Sequence, residues 1–195
     1  MTQARYSTVA IILHWAIAAL LIWNVGLAWY ANELEGAAKI GPLQLHKPIG
    51  ITILLLTLVR IGWRFAKAPP PLSAHLKTWE KHLAKVVHVL FYVVLLALPL
   101  TGWAMVSASK LITVFPIDMF GLFHWPAISA LSNLPTTELK ETHELFEDAH
   151  HLLAKVIIYG LIPLHVLGAL KHQFLDKDNE LARMIPFLAR KAPPA

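Results

Sequence analysis

The sequence predicts an all-α protein, a four-helix transmembrane bundle with both termini cytoplasmic. Three observations carry that prediction. The composition is too apolar for water: 56% of the 195 residues are hydrophobic and 15% are charged, where a soluble domain carries about a quarter charged residues. Four runs are each long enough to cross the hydrocarbon layer, which takes about 20 helical residues. Basic residues gather on alternate connections, as the positive-inside rule requires.

The first span, about 8–30, reads TVAIILHWAIAALLIWNVGLAWY. It follows Arg5 and is too long for the core of a cleavable signal. The second, about 45–63, is entered through Lys47-Pro48; proline suits a first helical turn, where its missing N–H has no partner to lose. The third, about 86–106, carries Pro99, where a kink is expected. The fourth, about 150–172, is HHLLAKVIIYGLIPLHVLGALKH. Trp29, Trp63 and Trp103 fall near span ends, where aromatic belts form, although ordinary packing explains each one equally well.

The connections are also readable. KAPPPLSAHLKTWEKHLAK, between spans two and three, reads as a proline-stiffened turn followed by a short amphipathic surface helix. The 107–149 loop is long, and its FPIDMFGLFHWP stretch is too apolar for free solvent, so it is expected to cap the outer end of the bundle. TTELKETHELFEDAH reads as a charged helical extension running into span four. No internal repeat or low-complexity stretch divides the chain, which is expected to be one membrane domain over 1–195.

Charge fixes the expected orientation. Arg5, Arg60, Arg64, Lys67, Lys77, Lys81, Lys85 and the basic tail lie on one side. Glu33, Glu35, Glu138, Glu141, Glu144, Glu147 and Asp148 lie on the other, with fewer lysines. Both ends are therefore placed on the cytoplasmic side of the membrane. The net charge of +5 is a topology signal rather than a nucleic-acid patch; lipid is the expected surrounding partner. With no cysteine, disulfides, thiolate-bound zinc and iron–sulfur clusters are excluded. Eleven histidines leave imidazole as the plentiful metal ligand.

Depth sorts those histidines. His151 and His165 lie fourteen residues apart, nearly a whole number of helical turns. In a regular helix they share one face, separated by roughly 21 Å along the axis. His14 lies roughly 9 Å into span one from the inner side and His165 roughly 10 Å into span four, so their levels match. His46 and His151 match near the outer side. A buried imidazole without a partner is costly in lipid, so His14/His165 and His46/His151 read as two ligand pairs. His88 lies at a depth near the inner pair and competes with His14 for His165, or else bonds a propionate or lines a substrate site. His150 is an alternative to His151, with a fifteen-residue spacing that turns it about 60° from His165. His172 faces a quinone or a lipid headgroup, or is merely interfacial. His75, His82 and His124 have no partner in depth and read as surface residues.

Haem b fits such pairs best, because it takes two axial imidazoles from facing helices. Zinc fits less well: it wants three or four ligands converging on one point. Arg60, Arg64, Lys47 and Lys155 are the candidates to pair with haem propionates, against topology or snorkelling roles.

With these residues in place, the chain resembles the bacterial cytochrome b561 family of di-haem, four-helix membrane proteins. The resemblance covers nearly the whole chain and is carried by RYSTVAIILHW, HKPIGITILLLTLVRIGWRF, HVLFYVVLLALPLTGW and HVLGALKHQFLDKDNELARMIP in that order. It implies His14, His46, His151 and His165 as ligands of two haem b groups. It departs in the 107–149 loop, which faces the expected external partner. The implied activity is electron transfer between a periplasmic one-electron partner and the ubiquinone pool. Members similar to this chain include superoxide oxidase, which oxidises superoxide and reduces ubiquinone. Lys39, Lys47, Lys110 and Lys140 would supply the electropositive entry such a site needs, and His172, His88 and Arg183 are the candidate quinone contacts at the inner end. The rival reading is a non-enzymatic relay that takes electrons from quinol and passes them to a periplasmic redox protein. A histidine-lined proton or metal transporter is a third class, and it predicts no haem absorbance.

Overall fold

The computed structural model describes residues 5–71, 76–178 and 181–185. Four long helices carry the fold: α1 (Thr8–Asn32), α2 (Ile40–Ala66), α3 (Thr78–Ser107) and α4 (Thr136–Leu175). Each is long and apolar enough to cross a membrane. Their surfaces say the same: Ile22, Val59, Tyr159 and Leu167 are between 56% and 70% exposed, which water would penalise and lipid does not. Two ends of the bundle can be distinguished. The terminal face brings the start of α1 near the chain's last described residues, and the loop face carries residues 108–135.

Each helix begins where its sequence allows. The Ser7 hydroxyl accepts the Ala10 N–H at 3.3 Å and caps α1. α2 starts at Ile40, earlier than expected, so Pro42 rather than Pro48 occupies its first turn. Pro48 is buried inside the helix, where it leaves the Gln44 carbonyl without its usual i→i−4 donor. α3 starts at Thr78 as the Glu80 carboxylate accepts the Lys77 N–H at 2.9 Å. The separate surface helix expected before span three is instead the first turns of α3 itself. α3 runs on through Pro99.

α4 is the irregular one. Regular helix over Thr136–Lys155 gives way to a π segment, Val156–Leu161, then to α-helix over Ile162–Leu170 and a second π segment, Lys171–Leu175. The first π segment lies just before Pro163, whose missing N–H breaks the bonding ladder at the Tyr159 carbonyl.

Close packing runs α1 on α2, α2 on α3 and α3 on α4, while α4 stands further from α1 and α2. A single apolar cluster (Ile17, Leu21, Ile49, Ile53, Val94, Leu95, Ile157 and Leu161) joins all four helices at mid-height. On the loop face, a two-residue hairpin pairs β1 (Ile117–Asp118) with β2 (His124–Trp125). Ile117 and Met119 bury against Ile51, Trp103 and Val106. Polar straps fix this segment: Lys47 Nζ donates to the Phe115 carbonyl at 2.8 Å, and the Ile128 N–H donates to Ser107 Oγ at 3.0 Å.

Candidate haem-binding site

Three imidazoles converge toward the terminal face. His165 on α4 has its ring centre 6.1 Å from that of His14 on α1 and 5.7 Å from that of His88 on α3. Phe91 sets its ring edge-on to His165 at 5.3 Å. His88 also bonds the Ala84 carbonyl one turn back. Arg60 lies within electrostatic reach of His14 and His165; its Nε donates to the Tyr92 hydroxyl at 3.4 Å, and its guanidinium stacks over that ring at 6.0 Å.

Toward the loop face the arrangement differs from the expected pairing. His46 on α2 faces His150, with ring centres 6.2 Å apart. His151 points elsewhere: its side chain is 59% exposed and its Nε2 lies 3.8 Å from Glu147. The reason is the π segment. Each α-helical residue advances about 100°, and a π-bulge absorbs one extra residue without advancing the face. His150 and His165 therefore behave as if fourteen apart, about 40° out of phase, while His151 is turned about 140° away. Pro163, lying between the histidines, was the signal in the sequence.

The His150 seat is specific. His150 Nδ1–H donates to the Leu98 carbonyl at 2.9 Å, and His46 Nδ1–H donates to the Asn24 carbonyl at 3.0 Å. A carbonyl only accepts, so the proton is fixed on Nδ1 and Nε2 is left with its lone pair. This is the tautomer a metal ligand needs. Gly102 makes the room: a Cβ there would stand 3.0 Å from His150 Cε1 and 3.1 Å from Nδ1.

The donor set fits haem. A metal–imidazole bond is about 2 Å and the ring centre lies about 1 Å beyond the nitrogen, so rings on opposite sides of one metal have centres about 6 Å apart. His14/His165 and His46/His150 both meet that spacing, and both span the gaps where α4 stands away from α1 and α2.

The other candidates are placed as follows. Lys47 is tied to the Phe115 carbonyl. His172 does not join the three imidazoles; its Nδ1 lies 2.7 Å from Asp176 Oδ2, in a network where Lys171 bonds Asp176 and Glu80 at 2.6 and 2.8 Å. Arg183 is buried and donates to the Pro71 carbonyl at 2.6 Å. His143 donates to the Met105 carbonyl at 2.8 Å. His82 and His124 are exposed, Lys155 is exposed on α4, and His75 lies outside the described residues.

Comparison with known proteins agrees in kind. The family model for prokaryotic cytochrome b561 matches residues 5–187. Cytochrome b561 homolog 2 of Escherichia coli is 30% identical over 192 residues, covering 94% of this chain and 93% of the relative. A protein named probable superoxide oxidase CybB, from Yersinia pestis, is 33% identical over 186 residues, covering 93% and 96%. Cytochrome b562 of Cereibacter sphaeroides is 29% identical over 194 residues, covering 95% and 98%. Four apolar helices, imidazoles facing one another inside them and a match over nearly the full length together give the conclusion: this chain belongs to the prokaryotic cytochrome b561 family, bacterial membrane proteins that bind haem b and transfer electrons.

Proposed function

We propose that the chain holds two haem b groups and moves single electrons across the bacterial inner membrane, between a periplasmic one-electron partner and the ubiquinone pool. The observation that carries this reading is the presence of two facing histidine pairs, His14/His165 and His46/His150, on opposite sides of one apolar core cluster. Haem b, when bound, supplies a reversible one-electron iron couple. The chain's own share is to hold the imidazoles, keep the core dry and set the charge around each site.

In this assignment His14 rather than His88 stands opposite His165. α3 and α4 pack closely, whereas α1 and α4 make few close contacts, so a macrocycle between His14 and His165 would displace less packing than one between His88 and His165. His88 then sits beside the inner site, and Arg60 faces the propionates. The termini are assigned to the cytoplasm because Arg5, Arg60, Arg64 and Lys67 all collect on the terminal face.

Superoxide is the favoured donor, by likeness to the relative whose printed name is superoxide oxidase. The reaction balances: two superoxide anions each release one electron and become dioxygen, and ubiquinone takes two electrons and two protons to become ubiquinol. The test is quinone reduction by purified, haem-loaded protein under a steady superoxide flux. Reduction that depends on His46 and His150 supports the reading.

A second reading has its own observation. The part of α4 nearest the loop face exposes Glu138, Glu141, Glu144 and Asp148, a surface suited to a basic redox protein. If superoxide yields no quinol while quinol-reduced protein passes electrons to a basic soluble cytochrome, relay is the function.

A further inference from the structure

We propose that a cleft on the terminal face binds the phosphodiester headgroup of an anionic glycerophospholipid. The cleft has a volume of about 340 Å³ and lies between the N-terminus of α1, the last turns of α2 and the linker that follows. Four cations line it: Arg5, Arg60, Arg64 and Lys67; no aspartate or glutamate does. Among the described residues, none of the ion pairs engages these four.

The site is built rather than incidental. Arg64 stacks over the Tyr92 ring at 5.8 Å, which holds its guanidinium on one wall. The start of α1 also lines the cleft, through Ser7 and Ala10, and its first N–H groups add positive potential. Trp63 Nε1–H donates to Ser7 Oγ at 2.9 Å and clamps the two helices together there. Arg60 lies within electrostatic reach of His14 and His165, and Arg64 within reach of His88, so Arg5 and Lys67 stand at the outer side of the cation set, where a ligand entering from outside meets them first.

Lipid is the source the surroundings select. Phe65, the neighbour of Arg64, is 87% exposed, and Leu58 and Val59, about two turns deeper on α2, are 50% and 56% exposed. A headgroup held by Arg64 and Lys67 can lay its acyl chains along those side chains. A free phosphate gains nothing from them. Basic pockets at helix ends attract anionic headgroups for this combination of reasons.

The experiment uses the whole, haem-loaded protein, stripped of lipid in a neutral detergent. Native mass spectrometry and thermal melting are followed on adding dioleoylphosphatidylglycerol, dioleoylphosphatidylcholine or inorganic phosphate. The anionic lipid is expected to stay bound and raise Tm; the other two are not. In Arg5→Gln/Lys67→Gln, retention should fall by about fivefold per charge removed. Arg5 precedes every helix, so Arg5→Gln alone serves as the milder variant should the double one fold poorly. Equal retention of phosphatidylcholine, equal stabilisation by inorganic phosphate, or unchanged lipid binding in both variants overturns the proposal.

Discussion

His46 and His150 face one another with ring centres 6.2 Å apart, and each is steered by a carbonyl from a different helix, Asn24 on α1 and Leu98 on α3. All four helices thus meet in this one pair. If it holds a haem, His46→Ala and His150→Ala should each reduce haem content from two per chain to one and remove the same component of the reduced-minus-oxidised spectrum. His151→Ala should keep both. Pyridine haemochrome quantification reads the difference directly. Loss of a haem in the His151 variant alone would reverse the assignment.

Gly102 gives a finer test of the same pair. A Cβ at 3.0 Å from the His150 ring forces that ring to move by a few tenths of an ångström. Gly102→Ala should keep the haem with a shifted midpoint potential, and Gly102→Leu should lose it. Gly62 has nothing within 4 Å of a would-be Cβ, so Gly62→Ala is the matched control with no shift.

The levels at which His14, His88 and His165, and His46 and His150, come together were legible in the sequence, and so was the fold. Helix count and apolar length depend on composition, which survives local irregularity. The rotational setting does not. A fourteen-residue spacing selects His151 only if the helix keeps 3.6 residues per turn throughout, and α4 breaks that period at Val156–Leu161. The start of α2 departs from the local pattern as well. Lys47-Pro48 resembles a helix entry, yet Pro42 already provides one, and a proline inside a membrane helix is tolerated when neighbours support it. The convergence of His88 on His165 was readable as a shared depth, but the spacing between α3 and α4 was not encoded in any local pattern.

The π segment itself can be edited. Deleting Gly160, which is exposed and touches nothing that a side chain would meet, should let the turn close as regular α-helix. His150 and His165 would then be fourteen true α steps apart, with the phase they already have. Both haems should remain. An alanine inserted after Gly160 pushes the phase a further 100° or so, and one haem should be lost. The pair of opposite outcomes, read by absorbance per chain, separates a phase effect from general damage to the helix.

At the inner level, His14 and His88 make different predictions although both approach His165. His14→Ala should remove the inner haem. His88→Ala should retain it, because the macrocycle would occupy the α1–α4 gap, while the loss of a neighbouring imidazole moves the midpoint potential. A redox titration of each variant decides between them. Retention in the His14 variant with loss in the His88 variant would place the haem on α3 instead.

The terminal face supplies a pH-dependent contribution to stability. Lys171 holds the Asp176 carboxyl below its ordinary range, and His172 adds to the effect. A carboxyl stabilised in its charged form contributes above the pH where it ionises in the unfolded chain, about 4. That contribution is lost as pH falls through the lowered folded value. Asp176→Asn should therefore melt below the parent protein at pH 7, and the gap should close as pH drops from about 4 toward 2. The Lys171–Glu80 bond at 2.8 Å survives the substitution, so the helix end should stay docked at neutral pH and the loss should remain partial. A melting difference that persists unchanged at pH 2 would show that Asp176 acts through packing and not through its charge.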